Sequence, residues 1–232
     1  MARKQIEKIN ENWGPKYPRP ENRHGDPEKK YAMVIDLRRC VGCHACSIAC
    51  KQENEVPMKH YRSWVKKIEK GDYPNVKTFN LPRLCNHCDK APCVIVCPVR
   101  ASFKREDGNI MLDSNRCIGC KACIAACPYN ARFMNEGPFT NNDPEHIEYK
   151  DSADKCSFCA HRVDNGALPA CVLSCMTKAR TFGDMHDPES EVHKLINLNA
   201  TQTLKPELGT EPKVFYIDAD ASIMGRVLEE KR

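Results

Sequence analysis

Residues 85–128 carry two cysteine runs in succession. The first reads Cys85-Asn86-His87-Cys88-Asp89-Lys90-Ala91-Pro92-Cys93-Val94-Ile95-Val96-Cys97-Pro98. The second, with 19 residues between Cys97 and Cys117, reads Cys117-Ile118-Gly119-Cys120-Lys121-Ala122-Cys123-Ile124-Ala125-Ala126-Cys127-Pro128. Their spacings are C-x2-C-x4-C-x3-C-P and C-x2-C-x2-C-x3-C-P. Upstream, Cys40, Cys43, Cys46 and Cys50 repeat C-x2-C-x2-C-x3-C. Downstream, Cys156, Cys159, Cys171 and Cys175 run as C-x2-C-x11-C-x3-C. These four groups of four use all 16 cysteines.

Three chemistries compete for such a pattern. Disulfides fit badly, because cysteines two residues apart rarely reach disulfide geometry and no apolar secretory leader is seen near the start. Arg38-Arg39 resembles a twin-arginine signal only superficially, since Cys40 follows it rather than an apolar stretch. Zinc sites pair C-x2-C knuckles across a longer gap, and only the fourth group resembles that arrangement. Groups one and three match the bacterial ferredoxin run directly. The sequence therefore points to four [4Fe–4S] clusters.

The spacing has a mechanical reason. Three cysteines on a tight loop wrap one cube, and Gly42 and Gly119 sit inside those loops, where a missing Cβ permits a sharp backbone. The fourth cysteine lies a helical turn further on and ligates the neighbouring cube, so groups must work in pairs. Groups two and three share the C-P ending and are neighbours. Between them Ala101–Glu106, Asp107-Gly108 and Asn109–Asp113 read as a hairpin closed by a type I′ turn. Groups one and four then pair around them. The expected sets are Cys40, Cys43, Cys46 and Cys175 (cluster 1); Cys156, Cys159, Cys171 and Cys50 (cluster 2); Cys85, Cys88, Cys93 and Cys127 (cluster 3); Cys117, Cys120, Cys123 and Cys97 (cluster 4). The alternative is tandem pairing, one with two and three with four.

Length and composition agree with a metal-dependent core. The 232 residues allow one or two domains. Hydrophobic residues are 41%, but roughly a third once the cysteines are set aside, which is thin for a core of this size. Mean hydropathy is −0.61, and no stretch approaches the ~18 apolar residues of a membrane helix, so no transmembrane segment is expected. The net charge of +5 suggests nucleic acid or anionic lipid. Four cubes at about −2 each turn it to about −3, so nucleic acid is not an expected partner.

The expected fold class is α+β: two nested bacterial-ferredoxin-like units of the 4Fe–4S dicluster type, with loop insertions and terminal extensions. Residues 1–30 form an extended, Pro- and charge-rich arm. Residues 31–84 and 140–218 form the outer unit, 85–139 the inner unit, and 219–232 a tail. Strands are expected at Tyr31–Asp36, Ala131–Met134, Ala179–Gly183 and Lys213–Ile217, the last pairing with the outer sheet. Helices are expected over Cys43–Asn54, Cys120–Cys127 and Glu191–Asn197, and a polar surface loop over Phe139–Asp154.

His44, His87 and His161 lie inside the cysteine groups. With sixteen thiolates for four cubes they are read as neighbours that tune the clusters or as surface groups, not as Rieske-type ligands. Lys121 and Arg162 read as tuning or solvated charges, and Trp13 and Trp64 as packing or interface residues. The chain carries no P-loop, G-x-G-x-x-G, H-E-x-x-H, nucleophile elbow or C-x3-C-x2-C triplet, so no catalytic site is expected.

The four groups, the x4 and x11 spacings and the nested order resemble the iron–sulfur (B) subunits of molybdopterin oxidoreductases of the dimethyl sulfoxide reductase family. The likeness is closer to polysulfide and tetrathionate reductase B subunits. The segments that carry it are YAMVID (31–36), LCNHCDKAPCV (84–94), DKCSFCAHR (154–162), LPACV (168–172), RTFGD (180–184) and LKPELGTEPKVFYI (204–217). The resemblance implies electron relay between a quinone-reactive integral membrane subunit of the polysulfide-reductase type and a molybdopterin catalytic subunit. It implies a polysulfide, tetrathionate or thiosulfate reductase-type respiratory complex. Group one's cube would face the catalytic subunit and group three's the membrane, giving the order one, four, two, three. Nitrate-reductase relatives replace the residue at position 120; Cys120 implies a full cube here. Met176, after Cys175, departs from the proline of many relatives. The location implied is peripheral to the membrane, periplasmic by co-export with the catalytic subunit, or cytoplasmic. The alternative reading is a polyferredoxin-like adaptor of a formate dehydrogenase or hydrogenase complex.

Overall fold

The computed structural model describes residues 24–135 and 151–220, together with Met224. Tyr31–Asp36 forms the first strand, β1, with its four middle residues buried. Successive side chains alternate across a strand. Met33 and Ile35 enter the main core, while Ala32 and Val34 join Val192 and Ile217 in a smaller one. Burial on both faces explains why the run is apolar throughout rather than alternating.

The chain then visits each cysteine group between short strands. Helix α1 (Ala45–Glu53) carries Cys46 and Cys50 on its buried side. Strands β2 (Ser63–Lys70) and β3 (Lys77–Leu84) form an antiparallel hairpin that ends at Cys85. A single helical turn, α2 (Pro92–Ile95), holds Cys93. Strands β4 (Ser102–Lys104) and β5 (Ile110–Leu112) pair antiparallel between groups two and three. Next come α3 (Ala122–Ala125), β6 (Arg132–Met134) and β7 (Ala153–Lys155), the last two antiparallel. Then follow α4 (Ala160–Val163), α5 (Ala170–Leu173), β8 (Arg180–Asp184), α6 (Glu191–Leu198), β9 (Thr201–Gln202) and β10 (Val214–Ile217).

One four-stranded sheet has the order β8-β1-β10-β9. Strand β8 runs antiparallel to β1 with Ile35 opposite Arg180, and β10 runs parallel to it with Ile35 opposite Tyr216. The strand that leaves group four is thereby fastened to the one that enters group one, and Asp36 N–H donates to Ala179 O at 2.8 Å. Helix α1 packs on α5, and α2 on α3. Groups one and four, and groups two and three, are therefore neighbours. Helix α6 lays Val192, Leu195 and Ile196 over the far face of the sheet, at the spacing of one helical stripe.

Several expectations need correction. Helix three is only Ala122–Ala125, so Cys127 lies beyond it. Cys97 and Cys175 likewise follow single turns. After each of these three cysteines the chain reverses through a left-handed residue: Arg100, Asn130 and Lys178 have φ of 52°, 51° and 50°. The N–H of each of these donates to the cysteine's carbonyl, closing the turn. The loop at Asp107-Gly108 is not type I′, which needs positive φ at both central residues. Gly108 alone is left-handed there (φ 79°), and Arg105 N–H donates to Asn109 O. The loop thus has three residues, with glycine at its left-handed position. The Asp107 carboxylate accepts from Asn109 N–H at 2.8 Å and fixes that geometry. The expected loop ends in β7: Ala153 and Asp154 pair with Met134 and Phe133. Residues 136–150, with most of the terminal arm and tail, lie outside the described residues.

Candidate metal centres

The two cysteine loops that contain glycine need it. Gly42 and Gly119 have φ of 71° and 69°. A Cβ on Gly42 would lie 2.6 Å from Asn80 Oδ1, and one on Gly119 2.6 Å from the Asp151 carbonyl oxygen. These loops stand at the surface: Cys43 and Cys120 are exposed, whereas Cys46, Cys50, Cys85, Cys88, Cys93, Cys123, Cys156, Cys159 and Cys171 are buried.

The thiols gather across the chain as the helix packing dictates. Cys40 has Cys46 and Cys175 beside it. Cys50 is surrounded by Cys156, Cys171 and Cys159. Cys88 neighbours Cys85, Cys127 and Cys93. Cys97, Cys117, Cys120 and Cys123 line one cavity, together with Ala101 and Lys121. Further contacts run between these gatherings: Cys156 faces Cys85, and Cys123 faces Cys93. Cys43 is carried on the exposed loop next to Cys40. Among the described residues no three His, Cys, Asp or Glu side chains close up tightly enough to hold a single metal ion.

The protein turns donors toward these sulfurs. Ala101 N–H donates to Cys97 Sγ at 3.2 Å and Ala179 N–H to Cys175 Sγ at 3.2 Å, four residues on in both cases. The Ala131 N–H bears on Cys127 in the same way. Asn54 Nδ2 donates to Cys50 O at 3.0 Å and lies 3.6 and 3.9 Å from Cys50 Sγ and Cys159 Sγ. Burial dominates the acidity of Cys50, Cys88, Cys156 and Cys159. It pushes Cys88 up to about 12 and, with Cys171 beside it, Cys159 up to about 11; Cys50 and Cys156 also rise. Burial also pushes Cys175 up, but the Ala179 and Arg180 N–H groups and the Thr177 hydroxyl hold it below its ordinary value. Without iron Cys50, Cys88, Cys156 and Cys159 stay protonated, and metal binding must release those protons.

Buried cations lie among the thiols. Arg132 Nη2 donates to Cys93 Sγ at 3.2 Å and Nη1 to Ser102 Oγ at 2.8 Å, and the same guanidinium bears on Cys123. Arg180 lies beside Cys171 and Cys46, yet its Nη1 and Nη2 make no well-formed hydrogen bond. Buried guanidinium nitrogens without well-formed acceptors are costly, and an anionic iron–sulfur cube is the kind of group that would satisfy them. Lys155 donates to the carbonyls of Ile110 and Cys156, near Cys85. Arg62 is held by Asp154 and Asn54 behind Cys50.

The expected tuning residues separate. His87 is fully buried and stacks on Phe158 with ring centroids 3.7 Å apart. Its Nδ1 accepts from Ile110 N–H at 3.1 Å. Burial, with Lys155 and Lys213 nearby, holds its pKa well below the usual histidine range, so the ring is neutral. His161 Nε2 sits 2.7 Å from Glu53 Oε1, and Arg162 Nη1 donates to Glu53 Oε2 at 2.8 Å. His44 is an exposed left-handed residue at the start of α1, and Lys121 starts α3 in the same conformation. Trp64 packs against the core under the Arg83 guanidinium. Trp13 lies outside the described residues.

A family model for a 4Fe–4S dicluster domain matches residues 76–185, which hold groups two, three and four. The chain is 46% identical over 215 residues to the tetrathionate reductase B subunit of Salmonella typhimurium, covering 89% of this chain and 81% of that protein. It is 43% identical over 196 residues to the polysulfide reductase B protein of Wolinella succinogenes, covering 82% and 94%. It is 41% identical over 211 residues to the selenate reductase B subunit of Mesobacillus selenatarsenatis, covering 82% and 72%. The protein belongs to this family of iron–sulfur B subunits of reductases. Its members are electron-transfer subunits of reductase complexes, and no helix among the described residues of this one is long and apolar enough to cross a membrane.

The cysteine spacing alone says nothing of the charged groups beside the sulfurs. Arg132 and Arg180 stand in strands expected from sequence, but no role was read from them. The signal was present: Cys127 and Cys175 are each followed at the fifth residue by an arginine after an alanine. Lys155 and Asn54 carry no such repeat and emerge only from the packing.

Proposed function

We propose that this B subunit holds four [4Fe–4S] clusters in two nested ferredoxin-like units and relays electrons between a quinone-reactive membrane subunit and a molybdopterin catalytic subunit. The complex is a respiratory reductase of the polysulfide, tetrathionate or thiosulfate type. The outer unit is residues 31–84 and 140–218, the inner unit 85–139, and 1–30 and 219–232 flank them. The ligands are Cys40, Cys43, Cys46 and Cys175; Cys156, Cys159, Cys171 and Cys50; Cys85, Cys88, Cys93 and Cys127; and Cys117, Cys120, Cys123 and Cys97.

The observation that carries this is the row of thiol gatherings. Group one meets group four, Cys156 of group four faces Cys85 of group two, and Cys93 of group two faces Cys123 of group three. The exposed thiols, Cys43 and Cys120, belong to the two end sets, and the inner sets are buried except for the partly exposed Cys127. Bound clusters supply one-electron transfer. The chain's own residues hold them, keep water from the inner pair and place donors and cations beside the sulfurs; none is assigned a catalytic role. The complex is proposed to sit at the membrane, on the periplasmic face by co-export with the catalytic subunit, with the cytoplasmic face as the alternative.

Anaerobic purification from native membranes, with partners identified by mass, tests the reading. A molybdopterin subunit and a multi-span membrane subunit are expected in constant ratio to this protein. A hydrogenase subunit in place of the molybdopterin subunit would overturn it in favour of an adaptor role.

A further inference from the structure

Arg132 and Arg180 occupy equivalent places. Each is the fifth residue after the last cysteine of its group, and each is the first residue of its strand, β6 or β8. Both are nearly inaccessible, at 5% and 3% exposure. Each lies between the third cysteines of two paired groups: Arg132 between Cys93 and Cys123, Arg180 between Cys171 and Cys46. In the ligand sets proposed above, those two thiolates belong to different clusters in each case. Among the described residues the groups that bear on these guanidinia are cysteine thiols and, for Arg180, Tyr216, with no carboxylate. An arginine cannot shed its proton in a protein, and its planar fork can donate in two directions at once.

We propose that Arg132 and Arg180 are potential-setting residues, each shared by the two clusters of one ferredoxin-like unit, and that each raises the reduction potential of both members of its pair. The physical reason is charge. Reduction adds one electron to an already anionic cluster, and a cation held beside its thiolates in a poorly polarisable interior stabilises the reduced form more than the oxidised one. Hydrogen bonds from the fork to sulfur act in the same direction. A cation between two clusters also weakens the repulsion when both are reduced. Arg180 is the sharper case: it bears on Cys171 and Cys46, and its Nη1 and Nη2 make no well-formed hydrogen bond, so the sulfurs of the two sets are at hand to take them.

This rests on the four-cluster reading, and the test separates the two. Redox titration followed by electron paramagnetic resonance is run on the anaerobically purified complex, unsubstituted and with Arg132→Gln, Arg180→Gln, Arg132→Lys or Arg180→Lys. Arg132→Gln is expected to lower the potentials of two clusters and leave two in place. Arg180→Gln is expected to lower the other two, with no cluster common to both sets. The lysine variants keep the charge and lose the fork, so they should move the same two clusters in the same direction by less. Should a glutamine variant lose iron, its lysine counterpart decides by the same pattern. Four clusters with unmoved potentials, a shift shared by all four, or one cluster moved by both variants would overturn the inference alone. Fewer than four clusters in the unsubstituted complex would overturn the functional reading and this inference with it.

Discussion

Cys120 and Gly119 lie side by side on the exposed loop of group three. Cys120 is one of four thiols around a single cavity and is itself exposed, which suits a terminal cluster passing electrons to a partner. Cys120→Ser is expected to abolish quinol-linked turnover in the assembled complex while activity with an artificial dye at the catalytic subunit survives. Paired assays check this, and an equal fall in both would misplace that cluster. Gly119→Ala forces a side chain into a left-handed residue, at roughly 1–2 kcal/mol, and drives its Cβ onto the Asp151 carbonyl. The measurable result is a loss of up to about four irons per chain, with the other clusters retained. These residues were legible from spacing alone. For Arg132 and Arg180 the sequence marks only a repeated position after Cys127 and Cys175, because a buried cation looks like any surface arginine until its neighbours are known.

Among the elements, β1 and β10 were legible as apolar runs, β8 as the short strand expected after a cysteine group, and α6 as a helix before Asn199. The β2–β3 hairpin was missed. Lys66, Lys67, Glu69 and Lys70 mask its alternation, and Pro82 argues against a strand. A two-stranded ribbon gives each strand an outer edge, where a residue without N–H is tolerated, and the Pro82 carbonyl accepts from Tyr216 Oη at 2.9 Å. Gly71-Asp72-Tyr73-Pro74-Asn75 was the turn signal that could have revealed it. Helix α6 supports the sheet from the side away from the thiols. Val192 is fully buried there, so Val192→Ala is expected to cost about 2 kcal/mol of stability and to leave the iron content unchanged. Anaerobic thermal unfolding beside an iron assay measures both. Iron loss in proportion to destabilisation would show that the sheet and the clusters are not separable in this way.

At the scale of the whole molecule, cysteines are built into the main core. Seven buried cysteines, among them Cys46, Cys85, Cys156 and Cys171, share it with Met33, Ile35, Leu81 and Tyr216. The apolar share of the sequence is small because sulfur and metal take the place of hydrocarbon, and folding and metal binding are then one process. Anaerobic chelation of iron is expected to collapse the far-ultraviolet circular dichroism; retention of the native spectrum would mean that the short strands stand without the clusters. The pairing of distant groups is the expectation from ferredoxin mechanics; in the structure α1 packs on α5 and α2 on α3. The most direct test is the iron and acid-labile sulfide content of anaerobically isolated protein. About sixteen of each per chain is expected. Zinc in their place, or about eight of each, would contradict a four-cluster conductor.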